Sequence, residues 1–357
     1  MSDPRLLKTV APPPLWGSPL ARGITLAALA GVFTLPFWGT SYLLDVATRT
    51  GIAVIAALGL NILTGFTGLI SLGTAAFMAI GGYAAGYLAT KTGLAPLLAI
   101  PAGGLASAIL GMVIGIPSLR LKGLYLAMAT LAAHFIVEFF IVHADSVTGG
   151  VSGMSIPSPR LGSIVLDSDK KLLPLVWLMV TGAALFAANL FRTRAGRAFI
   201  AIRDQEVSAA VMGIDVFRYK LLAFGVSSFY VGTAGALLAC QTKLISPETF
   251  PFSLAIDSLA MIIIGGLGSI AGSVFGAVFL TLLPELLRVT TTSLSGVYPG
   301  LVMLLASLKE LVFGILIIVF LIAQPHGIAA WWRTLTTRRG RNVSGSAVTT
   351  LDTGGNV

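Results

Sequence analysis

Apolar residues along this chain run in blocks of about twenty, separated by short polar breaks. A helix needs about 20 mostly apolar residues to cross about 30 Å of hydrocarbon. Ten stretches fit: 24–42, 46–64, 69–90, 94–116, 123–143, 172–191, 221–241, 253–270, 272–288 and 307–323. Barrel strands would instead be about ten residues of alternating pattern. The pattern therefore predicts an all-α, polytopic integral membrane protein of about ten transmembrane helices. Eight spans with re-entrant hairpins would also satisfy an even count.

Loop charges orient the spans. With the N-terminus in the cytoplasm, the inner segments hold Arg5, Lys8, Arg22, Arg120, Lys122, Arg192, Arg194, Arg197, Arg203, Arg218, Lys220 and the arginines at 333, 338, 339 and 341. The acids there are Asp3, Asp204, Glu206, Asp215 and Asp352, while the outer segments are close to neutral. That bias of Lys and Arg is the cytoplasmic signature and places both termini inside. It also explains the net charge of +9 without a nucleic-acid partner. Residues 1–22 form a cytoplasmic N-terminal segment with no cleavable-signal pattern. Residues 23–325 form the transmembrane unit. Residues 326–357, rich in Ser, Thr, Gly and Arg, read as a disordered cytoplasmic tail.

Composition agrees. Charged residues are 10% of 357 and apolar ones 56%, against about 25% charged in a soluble domain. A soluble enzyme and a disordered chain are both excluded. The 41 glycines suit closely packed spans. The single cysteine, Cys240, permits no internal disulfide.

Four stretches carry candidate chemistry. Residues 260–271 imitate G-x-G-x-x-A, with Glu285 about 20 residues on. The long apolar flanks and the missing βαβ pattern argue against dinucleotide binding. Gly268, Gly272 and Gly276 instead recur every fourth residue as a helix-packing face, and the cluster 265–272 marks a break between spans. The uncharged, Gly-rich run 63–73 reads either as a short turn or as a broken helix beside a pathway, since irregular backbone at membrane depth needs protein or water to satisfy it. Candidate path residues around it are Asn61, Gly65, Thr67, Gly68, Ser71 and Thr74. Segment 192–220 is too long for a tight turn. Val207, Val211 and Ile214 recur there at helical spacing beside Ala209, Ala210 and Gly213. Such a helix over 207–214 either enters a groove on a soluble partner or lies on the bilayer. Finally, His134 and Glu138 share one face of the fifth stretch. A charge inside a span points to function, but Glu138 is near enough to the end to snorkel. Asn61 and Asp257 are similar cases, which polar contacts between helices explain adequately. There is no phosphate-binding G-x-x-x-x-G-K-[ST] loop and no metal-ligand spacing, so the sequence predicts no metal and no cofactor held by this chain.

Residues 59–83 (GLNILTGFTGLISLGTAAFMAIGGY), 124–132 with 148–154, 192–228 (RTRAGRAFIAIRDQEVSAAVMGIDVFRYKLLAFGVSS) and 245–279 together resemble the LivM-type permease subunits of bacterial branched-chain amino acid ABC transporters. The resemblance covers about 40–325. It implies an ABC importer permease fold with no catalytic residues. Segment 192–220 would be the ATPase-coupling loop, centred on Glu206, Ala209, Ala210, Gly213 and Asp215. It implies a second, LivH-type permease subunit, two ATP-binding subunits that use ATP and Mg, and a periplasmic substrate-binding protein. It further implies location in the bacterial inner membrane. Leu69 and Thr74 replace residues that are often Gln and His in the family, which keeps a urea or short-amide permease open. The absence of a buried carboxylate chain argues against an ion-coupled carrier.

Overall fold

The computed structural model describes residues 30–121, 123–161 and 164–295, with positions 314, 315 and 318. Ten helices are labelled here: α1 Ser41–Thr67, α2 Thr74–Lys91, α3 Pro96–Ser118, α4 Leu124–His143, α5 Asp169–Leu190, α6 Arg194–Asp204, α7 Glu206–Val211, α8 Val216–Thr242, α9 Phe252–Gly265 and α10 Ile270–Ser295. A helical stretch over 30–38 precedes them. Two antiparallel ribbons complete the set. Strand β1 (Met154–Ser155) pairs with β4 (Leu244–Ile245), and β2 (Arg160–Leu161) pairs with β3 (Ile164–Val165).

The all-α membrane class is what the structure shows. Among the described residues six helices are long and apolar enough to cross a bilayer: α1, α3, α4, α5, α8 and the stretch Pro247–Gly265 that contains α9. The expected count of ten is therefore not reached within them. Helix α2, 18 residues with interior Gly and Tyr and a terminal Lys, is not among the six. In α10 the apolar part is limited to Ile270–Leu286. The expected first span lies partly, and segments 1–22 and 326–357 wholly, outside the described residues. Of the expected tenth span, 314, 315 and 318 are described and are helical.

Local chemistry fixes the helix ends. The Thr40 hydroxyl caps α1, Pro96 opens α3, Thr193 caps α6 and Asp215 caps α8, each a residue type suited to that position. Helices α1 and α8 form the centre, 89% and 72% buried over their most apolar windows, with α2 packed against them. The outer helices α3, α4, α5 and α9 are 33–39% buried. Small residues set the closest contacts. A Cβ on Gly81 of α2 would strike the Gly232 backbone of α8, and one on Gly235 would strike the Met78 carbonyl. Without a water-driven force between helices in lipid, such close packing and interhelical hydrogen bonds supply cohesion. Ser107 to the Phe77 carbonyl (2.9 Å) and Trp177 to the Ala47 carbonyl (3.1 Å) are examples.

Contacts at the helix ends give an alternating up-and-down path. At one end Phe66 stacks on Phe191, with ring centroids 3.6 Å apart, and Arg203 meets Gly65. At the other, Gln241 reaches Asp45 (2.8 Å), Lys243 reaches the Asp167 carbonyl (2.7 Å) and β1 meets β4. The first end carries Arg120, Arg192, Arg194, Arg197, Arg203, Arg218 and Lys220.

Candidate functional site

At the basic end, α6 buries Gly196, Ala198, Phe199 and Ile202 against the helix body and leaves Arg194 and Arg197 outward, while Arg203 turns in to the Gly65 carbonyl. Gln205, in an extended conformation, breaks the chain before α7. Two tethers then fix α7. Glu206 forms an ion pair with the buried Lys220 at the start of α8 (2.8 Å). After α7, the Ile214 amide returns to the Ala209 carbonyl (3.1 Å), and Asp215 both caps α8 and pairs with Arg218 (2.9 Å). Between the tethers Ala209 points inward and is buried. Val207, Val211 and Met212 are 74%, 82% and 81% exposed. The result is a firmly held helical turn with an apolar tip.

This geometry corrects the helix expected over 207–214. Helix α7 ends at Val211, and Gly213 lies beyond it in the left-handed region (φ 84°), with open space around it. That conformation suits glycine and stops the helix. The expected small-residue face is divided, with Ala209 inward and Ala210 outward. Glu206 and Asp215 tie the loop at its two ends, and the outward side chains between them are Val207, Ser208, Ala210, Val211 and Met212.

The break in 63–73 is also present. Helix α1 ends in a double reverse bond, Gly68 N–H to the Thr64 carbonyl (3.2 Å) and Leu69 N–H to the Leu63 carbonyl (3.1 Å), with Gly68 at φ 75°. Residues 68–73 are non-helical. Side chains satisfy this irregular backbone: Thr130 accepts from Leu72 N–H (2.9 Å), and Thr64 donates to the Leu69 carbonyl (3.1 Å). The expected path residues Asn61, Thr67, Ser71 and Thr74 are all buried within this chain, and Gly65 is too. They frame the break beneath the surface, while Gly68 reaches it. The Thr74 hydroxyl is buried with no hydrogen-bond partner.

Asn61 is a structural hub. Its amide donates to the Ser269 carbonyl (2.9 Å) and the Ser273 hydroxyl (2.6 Å), and its carbonyl accepts from Gly268 N–H (2.9 Å). These bonds join α1 to the turn between α9 and α10. The expected glycine row changes accordingly. Gly268 lies in that turn at φ 72°, not on a helix. Gly272 and Gly276 do lie on α10, where added Cβ atoms would meet the Gly265 carbonyl (2.6 Å) and the Met261 carbonyl of α9. The packing pair is thus Gly272 and Gly276 against α9, with Gly265 as the opposing glycine. The expected break at 265–272 is the turn between these two helices.

In α4, His134 is 3% exposed, 3.8 Å from the half-exposed Glu138, and its Nδ1 has no hydrogen-bond partner. A water-sized cavity of about 10 Å³ beside them is lined by Ala76, Ala79, Pro247 and Phe250. No metal-binding group of His, Cys, Asp and Glu occurs among the described residues.

The sequence profile of the family described as "Branched-chain amino acid transport system / permease component" matches residues 42–321. The chain belongs to that family. Among its relatives, the permease is 35% identical over 301 residues to the high-affinity branched-chain amino acid transport system permease protein LivM of Salmonella typhimurium, covering 77% of this chain and 71% of that one. It is 34% identical, with the same coverage, to LivM of Escherichia coli. The permease protein LivH of Salmonella typhimurium is 26% identical over 201 residues, 54% of this chain and 60% of that one. No solved structure matches the permease.

Proposed function

We propose that this permease is the membrane subunit of an ATP-driven importer that passes branched-chain or other aliphatic amino acids across the bacterial inner membrane. The observation that carries this reading is the tethered apolar tip of α7 at the basic end of a family member. An exposed aliphatic cluster calls for a protein cover, and a short helix presenting one fits a groove on a soluble partner. The partner is an ATP-binding subunit. ATP and Mg act there, and this chain carries no hydrolytic step. Two permease subunits, this one and a LivH-type chain, enclose the pathway. A periplasmic binding protein delivers the amino acid to the opposite end. The Lys and Arg bias supports a cytoplasmic α6 and α7, with both termini on that side.

The test is uptake in proteoliposomes holding both permeases, both ATPases and the binding protein. ATP-dependent accumulation of leucine, with none of urea or acetamide, is the expected result. Accumulation of urea or acetamide instead would assign the amide branch. Leucine uptake without ATPase subunits would contradict the importer reading.

A further inference from the structure

One side chain joins the coupling loop to both irregular segments of the membrane body. Arg203, near the end of α6, donates from Nη1 to the Gly65 carbonyl (3.1 Å). Helix α1 ends so that Gly68 and Leu69 N–H turn back to Thr64 and Leu63, which leaves the Gly65 carbonyl for this guanidinium. It lies at the carboxyl end of α1, where partial negative charge favours a cation. Asp204 accepts from Nε and Nη2 (3.1 and 3.0 Å) and orients the plane.

The seat is shaped for this group. A Cβ on Gly268 would lie 2.8 Å from Arg203 Nη1, and one on Gly68 would lie 3.2 Å from its Cγ. Both glycines are left-handed. The guanidinium therefore rests where the break of α1 and the turn between α9 and α10 come together. Asn61 binds these two segments to each other through Gly268, Ser269 and Ser273. Arg203 also stands three residues before Glu206, the inner tether of α7.

We propose that Arg203 is a positioning residue for transport: it transmits displacement of α7 to the α1 break and the α9–α10 turn, which move as one unit. This rests on the reading that α7 docks an ATPase. The chemistry suits a transmitter. A planar, permanently charged fork keeps direction as well as attraction, whereas Lys offers a point charge on a flexible stem. The Glu206–Lys220 tether leads to α8, so it and the Arg203 contact split the motion between the two central helices.

The test uses the complete complex in proteoliposomes with leucine and the binding protein. Arg203→Gln should retain its ATPase subunits and basal ATP hydrolysis, because the α7 tip is untouched. Stimulation by leucine-loaded binding protein should fall about tenfold, a typical size for a coupling effect, and uptake should fall with it. Arg203→Lys should restore part of both. Wild-type stimulation and uptake in Arg203→Gln would overturn the proposal. So would loss of ATPase subunits in step with activity, since Arg203 would then be a folding contact. If Arg203→Gln does not accumulate, Arg203→Lys decides: a reduced ratio of stimulated to basal hydrolysis supports transmission, and a wild-type ratio overturns it. Failure of the docking reading is distinguishable, because it would show as full ATPase retention when the α7 tip itself is made charged.

Discussion

At the scale of single residues, buried polar groups at membrane depth decide most. Asn61 is 1% exposed and has three partners. Asn61→Leu keeps the branched shape and orphans Gly268 N–H, while the Ser269 carbonyl keeps its bond from Ser273 N–H (3.0 Å). An unsatisfied buried group costs about 1–3 kcal/mol, although interhelical bonds in membranes average nearer ~0.6 kcal/mol. The variant should lower the midpoint of heat-induced aggregation in detergent by several degrees, whereas Ser273→Ala, which removes one partner, should lower it less. Equal midpoints for wild type and Asn61→Leu would show that the amide is not a tie. The importance of Asn61 was legible in the sequence, since a lone amide in an apolar stretch stands out. A polar contact between helices was its plain reading, but its partners were not legible, because they lie more than 200 residues away and depend on helix packing. The same holds for Glu206 and Lys220: spacing marks both as charged loop residues, while the packing of α7 on α8 makes them a pair.

At the scale of elements, apolar blocks of about twenty residues located the spans among the described residues well and their ends less well. The second expected span starts at 46 and observed α1 starts at Ser41, because Thr40 caps it there. The hairpin of α9 and α10 shows where small-residue spacing misleads. Gly268 fits the four-residue rhythm, yet its positive φ puts it in the turn. Gly272 is the contact. A Leu there meets the Gly265 and Gly266 carbonyls at once, and overpacking costs about 1–3 kcal/mol. Gly272→Leu should reduce the amount of monodisperse protein after solubilisation. Gly182→Leu, at a glycine of α5 with nothing within 4 Å of an added Cβ, should leave it unchanged. If both variants accumulate normally, the hairpin contact is not limiting.

At the scale of the whole molecule, alternating end contacts place Ser155 and Ser208 on opposite sides, and both are exposed. With the buried Cys240 replaced by Ala, Ser155→Cys should react with an impermeant maleimide in intact cells, and Ser208→Cys only after permeabilisation. The reverse pattern would invert the orientation set by Lys and Arg. The central claim joins that orientation to the α7 tip: an apolar surface held at the cytoplasmic end receives the ATPases. The most direct measurement is co-purification of the ATPase subunits with the permease pair carrying Val207→Asp and Val211→Asp, positions 74% and 82% exposed and outside the core. The expected result is normal accumulation of the permease with loss of its ATPases, and with them of leucine-stimulated ATP hydrolysis. Retention of the ATPases with hydrolysis at the wild-type rate would contradict the account.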